Sequence, residues 1–221
     1  MKKILILSLF LITSISINSF AQDFDPFEQN SWITGIGGNM TFDESNGEYA
    51  GGNQKYEVSD FSWTLDLTFG RFVLDNLAVG FNVMWENRDR TIQPVIDNNG
   101  DEISDNRKFG YMNVWTRYYF VLSKDRVAVY PEISIGYAKY KEENSEYPGL
   151  EIFQPDNEAA GYAYTAGAGI TYFIIDHIAF DAVARYETGD LTTDLDVETE
   201  DSSFDYELSR FNILFGLNIY F

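Results

Sequence analysis

The chain ends in FNILFGLNIYF, residues 211–221, and this stretch alternates between two kinds of side chain. Counting back from the last residue, the apolar positions are Phe221, Ile219, Leu217, Phe215, Ile213 and Phe211. The intervening positions are Tyr220, Asn218, Gly216, Leu214 and Asn212. Successive side chains of a β-strand point to opposite faces, so this alternation predicts a terminal strand with one apolar face.

Seven earlier stretches alternate in the same way. In chain order, and with the terminal one included, they are Ser31–Phe42, Phe61–Phe72, Leu77–Arg88, Phe109–Leu122, Val127–Tyr140, Gly161–Ile174, Ile178–Thr188 and Phe211–Phe221. The chain is also rich in Tyr (15), Phe (18) and Gly (17), a composition that favours strands and tight turns over helices. We therefore predict an all-β protein of eight strands.

The connections between these strands alternate strictly between short and long. The short ones are Val73–Asn76, Ser123–Arg126 and Ile175–His177, and the long polar ones are Asp43–Asp60, Asp89–Lys108, Lys141–Ala160 and Gly189–Asp205. This order predicts an antiparallel up-and-down transmembrane β-barrel with three short periplasmic turns and four long extracellular loops. A soluble, lipocalin-like cup has the same period with its faces exchanged. The second face is rich in Gly, Ser, Thr and Asn, whereas a water-facing wall carries many Lys and Glu, so the membrane barrel is favoured.

The N-terminus has the features of a secretory signal peptide rather than of a retained anchor helix. Lys2 and Lys3 precede the apolar run Ile4–Ile17, which is too short to span a bilayer, and a small-x-small site ends at Ala21. We predict a signal peptide at residues 1–21, an N-terminal periplasmic segment at 22–30 and the barrel at 31–221. Loss of two lysines takes the net charge from −20 to −22, and so acidic a chain is not expected to bind nucleic acid. The chain has no cysteine, so no disulfide supports it.

With these features, the chain resembles the small eight-stranded outer-membrane barrels of the OmpA/OmpX-like porin family. The stretches SWITGIGGNMTF (31–42) and YPEISIGY (130–137) have the look of that family. The resemblance implies a non-enzymatic, monomeric protein of the Gram-negative outer membrane, assembled by the β-barrel assembly machinery with periplasmic chaperones. It also implies that the terminal strand is the assembly signal, formed by Phe211, Phe215, Leu217, Ile219, Tyr220 and Phe221. Because no peptidoglycan-binding domain of the OmpA type follows Phe221 in this sequence, cell-wall anchoring is not expected.

The interior of an eight-stranded barrel is just wide enough for side chains to fill. The charged residues on the predicted inner face are Asp66, Glu86, Arg88, Arg117, Glu132, Asp181, Arg185, Glu187 and Arg210. A symmetric turn at 123–126 would set Arg117 opposite Glu132, and buried charges of opposite sign are expected to pair. Such a network serves either as a polar plug or as a narrow ion path. The mixed signs favour the plug, because a selective channel usually has a ring of one sign.

No catalytic, cofactor or metal site is predicted. The one histidine, His177, lies in a predicted periplasmic turn. The sequence DNNGD at 97–101 is a hairpin turn signal, so the third and fourth strands are expected to extend above the membrane. The acidic fourth loop faintly resembles an EF-hand at Asp194, Asp196, Glu198 and Asp205, but Thr199 stands where that motif needs glycine. We expect this loop to bind divalent cations diffusely beside lipopolysaccharide phosphates. The predicted role is envelope integrity or surface interaction, and the alternative is a narrow porin-like channel for ions or small solutes.

Overall fold

The computed structural model describes residues 25–48, 55–94, 103–123, 126–144, 157–193 and 204–221, so the predicted signal peptide lies outside the described residues. The strands are β1 (Trp32–Glu48), β2 (Lys55–Leu74), β3 (Leu77–Pro94), β4 (Ile103–Tyr118), β5 (Phe120–Ser123), β6 (Val127–Asn144), β7 (Asn157–Ile175), β8 (Ile178–Thr193) and β9 (Phe204–Tyr220). Neighbouring strands pair antiparallel in chain order, β4 pairs with β6, and β1 pairs with β9, so the sheet closes into a barrel. No helix among these residues is long and apolar enough to cross a membrane.

The nine segments form a wall of eight strands, as predicted, because β4 and β5 are two parts of one strand. The pairing with β6 runs to Arg117↔Glu132 and resumes at Phe120↔Val129 without a change of register. Pro131 on β6 lies opposite this gap. Towards its other neighbour, β7, Pro131 still pairs with Ala168. Proline has no amide hydrogen, so the ladder loses one rung and the strand is interrupted.

The two faces of the wall are those that the alternation predicts. On β2, Leu65 and Leu67 are 37% and 45% exposed while Asp66 between them is 5% exposed, and β3, β4, β6, β7, β8 and β9 show the same contrast. The outward residues are mostly apolar, and aromatic side chains lie at both borders of the apolar band. On β7 the band runs from Tyr162 to Tyr172, which for a strand tilted by about 40° corresponds to a height of about 25 Å.

The strands extend well beyond the predicted loop boundaries, so the four long connections are shorter than predicted. Residues 43–60, for example, were predicted as a loop, yet β1 continues to Glu48 and β2 starts at Lys55. At the second connection, the extension predicted from the hairpin signal is confirmed, because β3 continues to Pro94 and β4 starts at Ile103. The third and fourth connections are shortened like the first, and the residues between the paired strands in all four lie outside the described ranges. Above the apolar band a strand needs no apolar face, so the alternation of hydrophobicity ends while the hydrogen-bond ladder goes on.

The end of the barrel with the four long connections is called the mouth. The opposite end carries the short turns and is called the turn end. Asp75 and Asn76 connect β2 to β3, and Asn76 has a positive φ of 65°, which asparagine tolerates better than most residues. Asp176 and His177 connect β7 to β8. Lys124 and Asp125 of the predicted middle turn are outside the described residues.

Candidate functional site

A chain of alternating charges crosses the middle of the lumen. Arg117 donates from Nε to Glu132 Oε2 over 2.6 Å, and Arg185 donates from Nε to Glu132 Oε1 over 2.7 Å. Arg185 also donates from its terminal nitrogen to Asp66 Oδ2 over 2.5 Å. Each side chain stands at an inward position of a different strand and is almost completely buried, so the chain of ion pairs links β4, β6, β8 and β2 across the barrel.

Neutral donors complete the hydrogen bonding of the two buried aspartates at this level, Asp66 and Asp181. Asp66 accepts hydrogen bonds at Oδ1 from Asn82 over 2.7 Å and from Thr68 over 3.0 Å. Asp181 accepts hydrogen bonds from the Tyr130 hydroxyl over 2.5 Å and from the Thr171 hydroxyl over 2.6 Å. The buried carboxylates are therefore held by several strands each, as satisfied polar groups in a dry interior must be.

A second cluster lies above the first, towards the mouth. Arg210 on β9 donates to Glu187 on β8 and, over 2.7 Å, to Glu86 on β3. Its guanidinium group also stands over the ring of Phe109 at 3.7 Å from the ring centre, a cation–π geometry. Arg210 thus joins three strands and one aromatic ring in the upper lumen.

At the mouth, Arg88 binds Asp60 through two nitrogens, with distances of 2.5 to 2.9 Å. The Arg88 side chain is 47% exposed, so this predicted member of the network stands at the rim rather than within the closed lumen. Its partner Asp60 was missed by the sequence analysis. Asp60 and Asp66 are an even number of residues apart on β2, so their side chains point to the same face. This spacing is the signal that could have identified Asp60.

Aromatic rings close the turn end of the lumen. Phe27 enters the barrel from the N-terminal segment and is only 2% exposed, with its ring 5.1 Å from Tyr119, 5.5 Å from Phe173 and 5.9 Å from Phe72 between centres. Tyr220 is also fully buried and packs on Phe173 at 4.9 Å. The segment around Phe27 was predicted only as periplasmic, and its polar sequence gives no sign of this floor.

The N-terminal segment is fastened to the β2–β3 turn by hydrogen bonds. The Phe27 carbonyl accepts from the Asn76 amide over 2.8 Å, and Gln29 donates its amide to Asp75 over 2.9 Å and its side chain to the Val73 carbonyl over 2.9 Å. The end of β2 and the turn that follows it thus hold the segment that carries the Phe27 ring.

The space beside the charge network, next to the contact of β1 with β9, is small. A lumen cavity of about 20 Å³ is lined by residues that include Gly35, Asp66, Arg117, Asp181 and Arg185. That volume accommodates roughly one water molecule. Among the described residues, charged side chains thus fill the middle of the lumen and aromatic rings fill the turn end.

The predicted assembly residues divide between the two faces of the last strand. Phe211, Phe215, Leu217 and Ile219 face outward, whereas Tyr220 points into the floor. Phe221 closes the barrel through its backbone, because its amide donates to the Trp32 carbonyl over 3.0 Å and its carbonyl accepts from the Trp32 amide over 2.6 Å. These contacts describe the closure of the barrel; recognition by an assembly machinery stays a prediction.

The described residues contain no group of three or more His, Cys, Asp or Glu side chains arranged to hold a metal ion. His177 lies in the β7–β8 turn, with Nδ1 at 3.0 Å from the Tyr220 carbonyl oxygen. Residues 194–203, which carry most of the EF-hand-like pattern, and the hairpin signal at 97–101 lie outside the described residues.

Comparison with known proteins shows the fold. No family model and no curated protein sequence matches the chain. The chain is similar to the crystal structure of the outer membrane protein OprG from Pseudomonas aeruginosa, with 14% identity, 90% of this chain and 99% of that chain covered, and a TM-score of 0.57. Matches with TM-scores of 0.46 and 0.45 are the outer membrane protein AlkL (17% identity, 92% and 96% covered) and Neisserial surface protein A (12% identity, 86% and 96% covered). The chain thus has the fold of the small outer-membrane β-barrels.

Proposed function

We propose that the protein is an integral, non-enzymatic β-barrel of the bacterial outer membrane whose lumen is closed, and that it contributes to envelope integrity or surface interaction through its extracellular end. The apolar band with aromatic borders supports insertion in a bilayer, where a sheet is stable only if it closes on itself. The structural likeness to OprG, an outer membrane protein by its description, supports that location.

The filled lumen is the observation that carries this proposal. Arg117, Glu132, Arg185 and Asp66 bridge the barrel at mid-height, and the ring of Phe27 lies in the floor beneath them. The cavity beside these charges has room for about one water, which supports a lumen that no hydrated ion crosses in this conformation. The alternative role as a narrow channel would need the ion pairs to separate.

The periplasmic chaperones, the assembly machinery and the outer-membrane lipids are the partners that we propose. The acidic fourth loop would meet lipopolysaccharide through diffusely bound divalent cations, a proposal that rests on its sequence alone. No catalytic role is proposed for His177, which stands at the turn end, far along the barrel from the mouth where outer-leaflet lipid or an external substrate would arrive.

Planar-bilayer recording tests the closed lumen. The purified, folded protein is expected to give no steady unitary current. The double variant Arg117→Gln with Glu132→Gln removes one charge of each sign, and with them both ion pairs of Glu132, while Arg185 keeps Asp66. Because the lumen keeps its net charge and is still occupied by polar side chains, this variant should be silent as well. Folding of both samples is checked by their faster migration on an unboiled gel. Steady unitary currents in the unmodified protein, altered in the double variant, would establish the narrow channel instead.

A further inference from the structure

The seam at which the barrel closes is incomplete. β1 and β9 each extend over 17 residues, yet besides the rung between Trp32 and Phe221 their ladder runs only from Ile33↔Tyr220 to Gly38↔Phe215, which is six positions. The other wall seams among the described strands pair over thirteen or more positions, as in the ladder from Asp105↔Asn144 to Arg117↔Glu132. Above Gly38, β1 and β9 therefore have free edges that face each other across a slit.

This slit begins within the apolar band. Met40 and Phe42 on β1 and Phe211 and Ile213 on β9 flank it, and all four are between 48% and 77% exposed on the outer face. Backbone groups at this level have no water to bond with, so an unpaired strand edge is strongly disfavoured in hydrocarbon. The edges of β1 and β9 therefore require a partner.

Side chains replace only part of the missing ladder. Asn39 donates from Nδ2 to the Ile213 carbonyl over 3.1 Å, a single bond that joins the two strands just above the last backbone pair. Asn212, next along β9, has a buried Nδ2 without a hydrogen-bond partner among the described residues. The polar side of the slit thus still contains a donor without an acceptor.

The glycines below the slit explain where the strands separate. Gly37 and Gly216 lie opposite each other in the last part of the paired seam, and a Cβ on Gly216 would lie 2.9 Å from the Gly37 Cα. At the next residue, a Cβ on Gly38 would lie 2.0 Å from the Thr64 carbonyl oxygen on β2. Here β1 packs closely against β2, and beyond this point it no longer pairs with β9.

The missing partner must supply a ladder of backbone groups, which is the chemistry of another β-strand and not of a small molecule. The lumen cavity that adjoins the seam, of about 20 Å³, also has no room for a ligand to enter. Continuation of the existing register would set Met40 against Ile213 and Phe42 against Phe211 on the lipid side, and Asp43 against Arg210 on the inner side. The two free edges are thus complementary to each other in apolar character and in charge.

We propose that two copies of this chain pair through these edges, β1 of each with β9 of the other. A two-fold axis along the membrane normal makes both contacts at once and keeps them antiparallel, so each copy fills the slit of its partner. This dimer replaces the predicted monomer, and it rests on the proposed location of the barrel in the outer membrane.

Thiol crosslinking between differently tagged copies tests the pairing, and the absence of native cysteine makes the background low. One copy carries Met40→Cys and the other Ile213→Cys, both are expressed together, and washed outer membranes are treated with a short thiol-specific crosslinker. The control copies carry Leu67→Cys and Val83→Cys, a lipid-facing pair that is opposite within one fully paired seam. The expected result is at least a tenfold excess of covalent heterodimer for the first pair over the control pair.

The Met40→Cys and Ile213→Cys changes combined in one chain complete the experiment. The dimer predicts links between chains here as well, whereas a link only within the chain means that each barrel closes on itself and overturns the proposal. Heterodimer no more abundant than in the control also overturns it. If either variant fails to fold, Phe42→Cys and Phe211→Cys replace the first pair. Absence of the protein from the outer-membrane fraction would contradict the proposed function too, whereas presence without crosslinks contradicts the dimer alone.

Discussion

Glu132 accepts hydrogen bonds from two guanidinium groups at once, those of Arg117 and Arg185, in a region with almost no exposure to solvent. Removal of one partner from a buried ion pair leaves a charge without compensation, which costs about 3–5 kcal/mol. Loss of the Glu132 carboxylate should therefore destabilise the barrel strongly, because two cations depend on it.

The variant Glu132→Gln keeps the shape of the side chain and removes its charge. We expect the free energy of unfolding to fall by about 3 kcal/mol, measured by urea titration of the protein folded into lipid vesicles. Glu158→Gln is the matched control. Glu158 bonds Lys139 over 2.7 Å on the exposed outer surface near the mouth, where solvent screens the pair, so no measurable change is expected. Equal effects of the two substitutions would contradict a structural role for the lumen network.

The interruption between β4 and β5 can be tested at the scale of a whole strand. Pro131 removes one rung between β6 and the strand formed by β4 and β5, while its pairing with β7 remains intact, so the missing amide hydrogen is on the β4 side. In the variant Pro131→Val, the new amide at position 131 can donate to the strand opposite, and β4 should continue into β5. We expect this amide to be protected from hydrogen exchange, measured by NMR in micelles, to the degree of its neighbours in β6.

The stability of the Pro131→Val variant should change by less than about 1 kcal/mol. The added hydrogen bond contributes about 1 kcal/mol, and the greater freedom of the unfolded chain without proline offsets about 0.4–1 kcal/mol. Rapid exchange of the new amide would show that the strand is interrupted for another reason, such as the packing of Tyr119 against Tyr130 beneath it.

The strands and their faces could be predicted because their signal is local. On β2, Leu65 and Asp66 already differ in character, and a barrel wall sorts neighbours to opposite sides. The strand ends could not be predicted from the same signal, since residues such as Glu48 and Lys55 pair in water, where no apolar face is needed. The hydrogen-bond ladder there is invisible to hydrophobic periodicity.

Contacts between distant parts of the chain explain what else was missed. The inner position of Asp181 follows from its strand, but its partner Tyr130 is 51 residues away and is brought near only by the closed barrel. Burial of Phe27 was even harder to predict from the sequence, because the residues around it in the chain are polar and give no sign of burial. Its site exists only where four inward aromatic rings from different strands meet at one end of the molecule.

Closure of the whole barrel depends at the turn end on the last residue. The backbone of Phe221 exchanges two hydrogen bonds with Trp32, and its ring is 39% exposed on the outer side. Two properties could therefore make Phe221 important: the final rung of the β1–β9 seam, or the terminal aromatic ring as an assembly signal. Because that seam has only six further pairs, loss of the rung alone would already weaken it.

Two variants separate these properties. Deletion of Phe221 removes both rung and ring, whereas Phe221→Ala keeps the backbone and removes only the ring. If the ring is the assembly signal, both variants should accumulate in the outer membrane at a small fraction of the normal level, measured by immunoblot of membrane fractions and by migration on an unboiled gel. Purified Phe221→Ala protein should nevertheless refold in vesicles like the unmodified protein, because its seam is intact. Normal membrane levels of Phe221→Ala together with loss of the deletion variant would assign the requirement to the rung and reject the signal.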